Sequence, residues 1–229
     1  MFYRLIVLSL MVITMNLSTS FAYGNEWNLA KDKKGIRAYT RSVSDSNHLQ
    51  FKSEGVVNAS IENIVHLMRD IDVMDKWLHT CYEPIIADEV NAFTRLIHMK
   101  NETPFIVKDR DLVLIQRMIK VSDDMVIIEL VGKPDSITKN NNYVRIPGFQ
   151  GAWRFIRIDE HKTNVEYYGH IDPGGAIPSF ITNAILIDTP YESIRKLRDQ
   201  NYSQYDGGLE FLTTIESAEL EETKALALK

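Results

Sequence analysis

The stretch at residues 169–200 constrains the fold of this chain more than any other. A turn containing Pro173, Gly174 and Gly175 is followed by Pro178 and then by a run without glycine that reaches Gln200. Proline suits the first turn of a helix because its φ is already helical and its missing N–H would have no partner there. The sequence therefore predicts a long helix that begins near Pro178.

The predicted helix carries a broad apolar face. Its apolar residues recur at steps of three and four and form two rows, Phe180, Ala184, Ile187, Tyr191 and Ile194 in one and Ile177, Ile181 and Ile185 in the other. A face of this size needs a large apolar partner, and the strands predicted between residues 49 and 172 supply one. We therefore predict a sheet that curves around a long C-terminal helix.

The region before this helix has the pattern of consecutive antiparallel strands. Alternating apolar and polar residues are separated by short polar turns such as Asp159-Glu160-His161-Lys162, which predicts a meander and an α+β fold. Gly55 predicts a bulge or the close approach of another element. A short helix is predicted after Ser60, a good N-cap, because Ile61, Ile64, Val65 and Met68 then share one face.

The first residues have the pattern of an export signal. Arg4 precedes an almost continuous apolar run at residues 5–17, and Ser20-Phe21-Ala22 places small residues where a signal peptidase cleaves. The alternative is a membrane anchor, but the run is shorter than the roughly 20 residues that span a bilayer. We predict that residues 1–22 are a cleaved signal peptide. Cys81 is the only cysteine, so no intramolecular disulfide can form, which favours the bacterial periplasm over an animal secretory route.

The remaining chain is predicted to be one domain at residues 23–206, followed by an acidic C-terminal extension at residues 207–229. Hydrophobic residues make up 45% of the 229 residues and charged residues 25%, as in an ordinary globular domain. The formal net charge is −5, and the lysines and arginines are scattered. A nucleic-acid partner is therefore not expected.

No motif in the sequence predicts a catalytic residue, a metal site or a cofactor. His79 and Cys81 could share a face, but no second pair of ligands accompanies them, and we interpret them as a buried thiol beside a polar histidine. The run Lys108-Asp109-Arg110-Asp111 is a catalytic cluster or, as we prefer, a solvated or salt-bridged start of a strand. His170 is predicted to make a polar contact, either with a ligand in a cavity or with the backbone.

Seven stretches carry a family resemblance. They are residues 35–39, Trp77, and residues 110–113, 151–155, 163–167, 172–178 and 194–198. In this number and order they resemble the START (StAR-related lipid transfer) domain, a helix-grip fold in which a curved antiparallel β-sheet wraps around a long C-terminal α-helix over an apolar tunnel. The resemblance covers nearly the whole chain after the predicted signal peptide.

The resemblance implies a module that binds a lipid or similar apolar molecule and carries it, with transient contact to a membrane surface and without a cofactor or turnover. It implies that the helix after Pro178 is a lid. Gly174 and Gly175 are the predicted hinge, because they lie immediately before the lid and can absorb large changes in φ and ψ, and Pro190 offers a second flexible point. The alternative is that these glycines only make the turn and that the tunnel opens through the loops around Pro104 and Pro147. The residues expected to line the tunnel roof, or otherwise to be plain core residues, are Phe180, Ile181, Ala184, Ile187 and Tyr191.

Two further expectations concern polar groups. Steroidogenic members of the family share an internal acid–arginine pair, and the neutral Asn101 and Gln116 fall near those positions, with Glu102 and Arg117 one residue away. A sterol is therefore disfavoured, and Arg117 is kept as a candidate ligand contact beside His170. The alternative function is an aromatase/cyclase-like enzyme on the same scaffold, for which the candidate titratable groups are His79, His98, Glu166 and His170.

Overall fold

The computed structural model describes residues 26–44, 46–104 and 107–205. The predicted signal peptide at residues 1–22 and the acidic extension at residues 207–229 lie outside them. Within the described residues there are ten strands: β1 (Asn28–Lys33), β2 (Ile36–Arg41), β3 (Gln50–Val57), β4 (Cys81–Asn91), β5 (Thr94–Asn101), β6 (Arg110–Ser122), β7 (Met125–Gly132), β8 (Val144–Arg145), β9 (Gly148–Asp159) and β10 (Lys162–Asp172). The α-helices in this part of the chain are α1 (Ile61–Arg69), α2 (Met74–Trp77) and α3 (Ser179–Arg198), and 3₁₀ turns lie at Ile71–Val73 and Ser203–Tyr205.

The strands form one curved antiparallel sheet, as the sequence predicts. Their order is β1-β2-β3-β10-β9-β7-β6-β5-β4, and the short strand β8 pairs in parallel with the start of β6. The pairing of β3 with β10 joins the N-terminal strands to the last hairpin, so the sheet wraps around one side of α3. The fold is therefore the α+β helix-grip fold that was expected.

Helix α1 begins as its sequence predicts. The Ser60 hydroxyl accepts a hydrogen bond from the Asn63 N–H (3.2 Å), which satisfies one of the free donors of the first turn. Its apolar residues Ile61, Ile64, Val65 and Met68 are all buried. Glu62, in the first turn, pairs with Arg157 of β9 at 2.6 Å and ties the helix to the sheet.

Helix α3 starts directly after Pro178 and packs on β2 and β3. Gly55 of β3 allows this contact, because a Cβ atom there would lie 2.9 Å from Arg198 Nη2 and 3.3 Å from Ile194 Cγ2. The Arg198 guanidinium donates to three backbone carbonyls, those of Val56 (2.6 Å), Lys34 (2.7 Å) and Gly35 (2.9 Å). The C-terminal end of α3 is thus fastened to the first three strands. None of the described helices is both long enough and apolar enough to cross a membrane.

Candidate ligand-binding cavity

A cavity of about 120 Å³ lies between α3, the end of α2 and the inner face of the sheet. Most of its wall is apolar, because alternate residues of β3, β5, β6, β7, β9 and β10 point inward. Representative wall residues are Phe51, Ile97, Leu114, Leu130, Phe149 and Ile171. The roof comes from α3 and the segment before it, through Ile177, Ile185, Leu186, Thr189 and Pro190. The gap between sheet and helix is therefore a site suited to an apolar ligand.

Four aromatic rings build one side of this cavity. Trp153 stacks on Tyr167 with 4.0 Å between ring centroids, and Trp77 meets Trp153 edge-on at 5.8 Å. Phe51 meets Tyr167 edge-on at 5.0 Å. Such stacked and edge-to-face contacts add stability beyond the apolar area they bury.

A second part of the wall is polar. Trp77, His79, Asn101 and Arg110 line the cavity, and each has a buried side-chain nitrogen without a hydrogen-bond partner among the described residues: Trp77 Nε1, His79 Nδ1, Asn101 Nδ2 and Arg110 Nε. Buried polar atoms in folded proteins are nearly always hydrogen-bonded, and leaving one unpaired costs free energy. We refer to these four residues as the polar wall.

Arg110 is the charged member of the polar wall and is only 4% exposed. Its Nη1 donates to the Lys108 carbonyl and its Nη2 to the Gly174 carbonyl at 3.4 Å. Burial lowers the pKa of Arg110 from its ordinary value, while the charge of nearby Asp109 acts in the opposite direction. Among the described residues, no carboxylate forms an ion pair with this guanidinium, and Asp109 is the carboxylate whose charge acts on its pKa.

The backbone beside the polar wall is strained. Thr80, which follows His79 and also lines the cavity, has a φ of +69°, a left-handed conformation that a β-branched residue rarely adopts. Its carbonyl accepts a hydrogen bond from the Glu102 N–H at 2.9 Å, and the Ser193 hydroxyl of α3 accepts one from the His79 N–H at 3.0 Å. These bonds hold His79 at the cavity and compensate for the strain at Thr80.

Helix α3 turns a different face toward the cavity from the one predicted to line the tunnel. Phe180 is 67% exposed and Ala184 is also exposed to solvent. Ile187 is half-buried against the core, and Tyr191 is buried where its hydroxyl donates to the Lys33 carbonyl (3.2 Å) of β1. Ile181 is buried but lines an outer groove rather than the cavity. The second apolar row therefore turns toward the cavity, because Ile177 and Ile185 line it. None of the five predicted residues lines the cavity in this structure.

Arg117 and Gln116 are neighbours on β6 and point to opposite faces of the sheet. Arg117 faces outward from β6, where it is exposed and pairs with Glu129 at 3.4 Å. Gln116, 3% exposed, lines the cavity. The placement of Arg117 inside the tunnel is therefore corrected, because neighbouring residues of a strand point to opposite faces.

A buried arginine that sequence reasoning missed lies behind Gln116. The Nε of Arg95 donates to Gln116 Oε1 (2.7 Å), and its other nitrogens donate to the carbonyls of Met68 (3.1 Å) and Arg69 (2.6 Å) at the end of α1. Burial, followed by repulsion from the charge of Arg69, lowers the pKa of Arg95 to about 10. Arg95 precedes the inward-facing Ile97 by two residues in β5, and this spacing is the sequence signal that places its side chain on the inner face.

His170 also lies on the outer face of the sheet. Its Nε2 is within hydrogen-bond distance of Ser46 Oγ (2.9 Å) and the His48 carbonyl (3.2 Å). His170 thus lies within hydrogen-bond distance of a backbone carbonyl. The alternative, a contact inside the cavity, is wrong, because Tyr167 and Ile171 of β10 line the cavity and His170 points to the opposite face. Gly174 and Gly175, the predicted hinge, both have a φ of +66°, which makes glycine the fitting residue at each position.

The other titratable candidates for an enzyme are dispersed. His98 contacts Asp111 (3.0 Å) and Glu166 pairs with Arg154 (3.0 Å), in both cases away from the cavity. Burial, assisted by the charge of Lys196, lowers the pKa of His79, so its imidazole is neutral near pH 7. Burial raises the pKa of the Cys81 thiol to about 12, which makes it a poor nucleophile. The described residues contain no cluster of three or more His, Cys, Asp or Glu side chains that could hold a metal ion.

The charged run at the start of β6 is partly buried rather than solvated. Arg110 points into the cavity, whereas Asp111 on the opposite face is 1% exposed and pairs with Arg145 at 2.7 Å. The salt-bridged interpretation therefore holds for Asp111. Burial alone would raise the pKa of Asp111, but hydrogen bonds from Arg145 and His98 outweigh this effect and lower it.

The fold and its cavity define a helix-grip protein with a largely apolar cavity, and the family model of the START domain matches residues 16–198. The chain belongs to the START domain family, whose members bind and transfer lipids or other apolar ligands.

Three relatives show how far the likeness extends. An uncharacterized protein of Pseudomonas aeruginosa is 29% identical over 177 residues, which cover 77% of this chain and 87% of the relative. The crystal structure of a STAR-related lipid transfer protein fragment from Xanthomonas axonopodis has a TM-score of 0.70 and 28% identity, covering 76% of this chain and 97% of that one. Human StAR-related lipid transfer protein 5 is similar in fold, with a TM-score of 0.66, 14% identity and coverage of 79% and 87%.

Proposed function

We propose that this protein holds one molecule of a lipid or similar apolar ligand between α3 and the sheet and carries it between membranes without chemical change. The observation that supports this most directly is the cavity between α3 and the sheet, whose wall is aromatic and aliphatic over most of its area. The name of the related Xanthomonas axonopodis protein, a STAR-related lipid transfer protein, points in the same direction.

The cavity volume indicates that the ligand must displace part of the protein. Pockets for drug-sized ligands occupy roughly 300–1,000 Å³, whereas the cavity here occupies about 120 Å³. The structure thus represents a closed form in this proposal. The N-terminal part of α3 is the element that moves, and Gly174 and Gly175 are its hinge, since two successive glycines can absorb a large change in φ and ψ.

The outer surface beside this hinge is the proposed contact with a membrane. A groove there is lined by Val107, Lys108, Ala176, Phe180 and Ile181 among other residues. An exposed aromatic ring next to a lysine suits the boundary between the head groups and acyl chains of a bilayer. Contact at this groove would bring the membrane against the moving end of α3.

We also propose that the protein acts in the periplasm. The support is the sequence of residues 1–22, with Arg4, the apolar run and Ser20-Phe21-Ala22. Sequencing the N-terminus of protein isolated from the native cell tests this, and mature protein that still begins at Met1 would contradict it.

The binding function is tested by filling the cavity. We expect Ile185→Trp, which adds volume at the cavity roof, to lower the affinity for a fluorescent fatty acyl probe at least about tenfold. Ala184→Trp is the matched control, because Ala184 is the adjacent residue and is exposed; it should bind the probe as the unchanged protein does. Circular dichroism verifies that both variants fold. Wild-type protein that binds no acyl probe and yields no lipid on solvent extraction would overturn the proposed function.

A further inference from the structure

The polar wall contains buried donors that the protein itself does not satisfy. Trp77 Nε1, Asn101 Nδ2 and Arg110 Nε can each donate a hydrogen bond, and none has a partner among the described residues. Trp77 is 1% exposed and Arg110 4%. The residues that carry these nitrogens line the cavity, so an oxygen-bearing group bound there would be a nearby acceptor; Arg110 also lines the outer groove.

The sheet brings these residues together. Cys81 pairs with Asn101 across β4 and β5, and Asn101 pairs with Arg110 across β5 and β6. Residues directly opposite each other in a sheet share a face and lie about 4.5–5.5 Å apart at Cβ. His79 precedes Cys81 by two residues, and its backbone is held by Ser193 of α3. The polar wall is therefore one patch at one end of the cavity.

The charge of this patch is positive. Arg110 has a carboxylate on either side in sequence. Asp111 pairs with Arg145 on the opposite face of the strand, and Asp109 already accepts hydrogen bonds from the Thr103 N–H and the Tyr82 hydroxyl, both at 2.8 Å. Among the described lining residues Glu102 is the sole carboxylate, and it is exposed to solvent, which screens its charge. Arg110 thus carries a buried positive charge that the charge of Asp109 offsets only in part, without an ion pair, an arrangement that favours an anion.

We propose that the polar wall binds the anionic oxygen head group, a carboxylate or a phosphate, of a single-chain amphiphile. This inference rests on the proposed function and adds the class of ligand. A carboxylate or phosphate offers several acceptor lone pairs to the donors of Arg110, Asn101 and Trp77. A quaternary ammonium group would offer none and would be repelled by Arg110, and a lone hydroxyl would satisfy fewer donors. A single chain fits the small cavity better than two.

The ligand class is tested with a series that varies only the head group. Dodecanoate, dodecyl phosphate, dodecanol and dodecyltrimethylammonium compete with a neutral fluorescent probe for the wild-type protein. We expect the two anions to displace the probe at concentrations about tenfold or more below those of dodecanol, the factor typical of hydrogen bonds to a charged group. Inorganic phosphate should not displace it, because it lacks the apolar chain. Displacement by inorganic phosphate at the same concentration as dodecyl phosphate would overturn the assignment to an amphiphile.

Variants then assign the preference to the polar wall. Arg110→Met should remove about tenfold or more of the affinity for dodecanoate and change that for dodecanol less than about threefold. Arg117→Met is the matched control, because Arg117 lies on the same strand but faces outward, and it should keep the preference for the anion. If Arg110→Met does not fold, Asn101→Asp is the test variant. It should lower the affinity for dodecanoate, since a carboxylate of nearly the same shape replaces a donor and repels the anion.

The outcomes separate the two proposals. Equal binding of dodecanoate and dodecanol by the wild-type protein, or an unchanged preference in both polar-wall variants, would overturn this inference and leave the proposed function standing. Failure of every amphiphile to bind would overturn both.

Discussion

The two halves of α3 are held in different ways. In the C-terminal half, residues 190–198, Tyr191, Ile194 and Leu197 are at most 2% exposed. Arg198 donates hydrogen bonds to one carbonyl of β3 and to two carbonyls of the turn between β1 and β2. In the N-terminal half, residues 179–189, Phe180 is 67% exposed and Ala184 is exposed as well. One half is therefore part of the core, and the other covers a cavity.

Pro190 lies at the junction of these halves. Because proline has no N–H, the helix lacks the hydrogen bond that residue 190 would otherwise donate to the carbonyl of residue 186. Segments with few buried apolar contacts open at a lower free energy than the core. One continuous helix can therefore combine an anchor, residues 190–198, with a lid, residues 179–189, which follows Gly174 and Gly175.

The largest expected effect comes from weakening the anchor. Leu197→Ala should lower the free energy of unfolding by about 2–5 kcal/mol, because it leaves a cavity in the core. Phe180→Ala, in the lid, should change it by about 0.5 kcal/mol or less, since the ring is mostly exposed. Urea denaturation measures both. Equal losses in the two variants would remove the distinction between anchor and lid.

A smaller effect is expected where the anchor meets the sheet. Gly55→Val should cost about 1–3 kcal/mol of stability, because a Cβ atom there would lie 2.9 Å from Arg198 Nη2 and 3.1 Å from Ile36 Cγ1. Val56→Ala, the adjacent position with a 38% exposed side chain, is the control and should be within about 0.5 kcal/mol of the unchanged protein. A neutral Gly55→Val variant would mean that α3 does not need this close approach.

The smallest effect on stability is expected at the hinge, where the rate of transfer should change instead. Valine at position 175 would be strained at a φ of +66°, so Gly175→Asn is the better test, since asparagine adopts this conformation more readily. We expect slower transfer of an acyl probe between vesicles at matched occupancy, because a restricted hinge raises the barrier to opening. Rates equal to those of the wild type would move the gate to another loop.

The sequence by itself determined the elements and their family. Pro178 and Ser60 mark helix starts through local backbone chemistry, and alternation along the chain marks the strands, so a sheet curved around a long C-terminal helix could be predicted. The family resemblance then implied the helix-grip fold. Both apolar rows of α3 were also visible, because helical periodicity depends only on the spacing of residues within one segment.

Only the tertiary structure decided which side chains enter the cavity. A shift of one residue turns a strand residue to the other face, which separates Gln116 inside from Arg117 outside and places His170 on the outer surface. On α3 the docking of Tyr191 against β1 selects Ile185 rather than Ala184 for the cavity roof. The unpaired donors of Asn101 and Arg110 are likewise a property of strand register, because a hydrogen-bond partner, or its absence, depends on atoms that are distant in the chain.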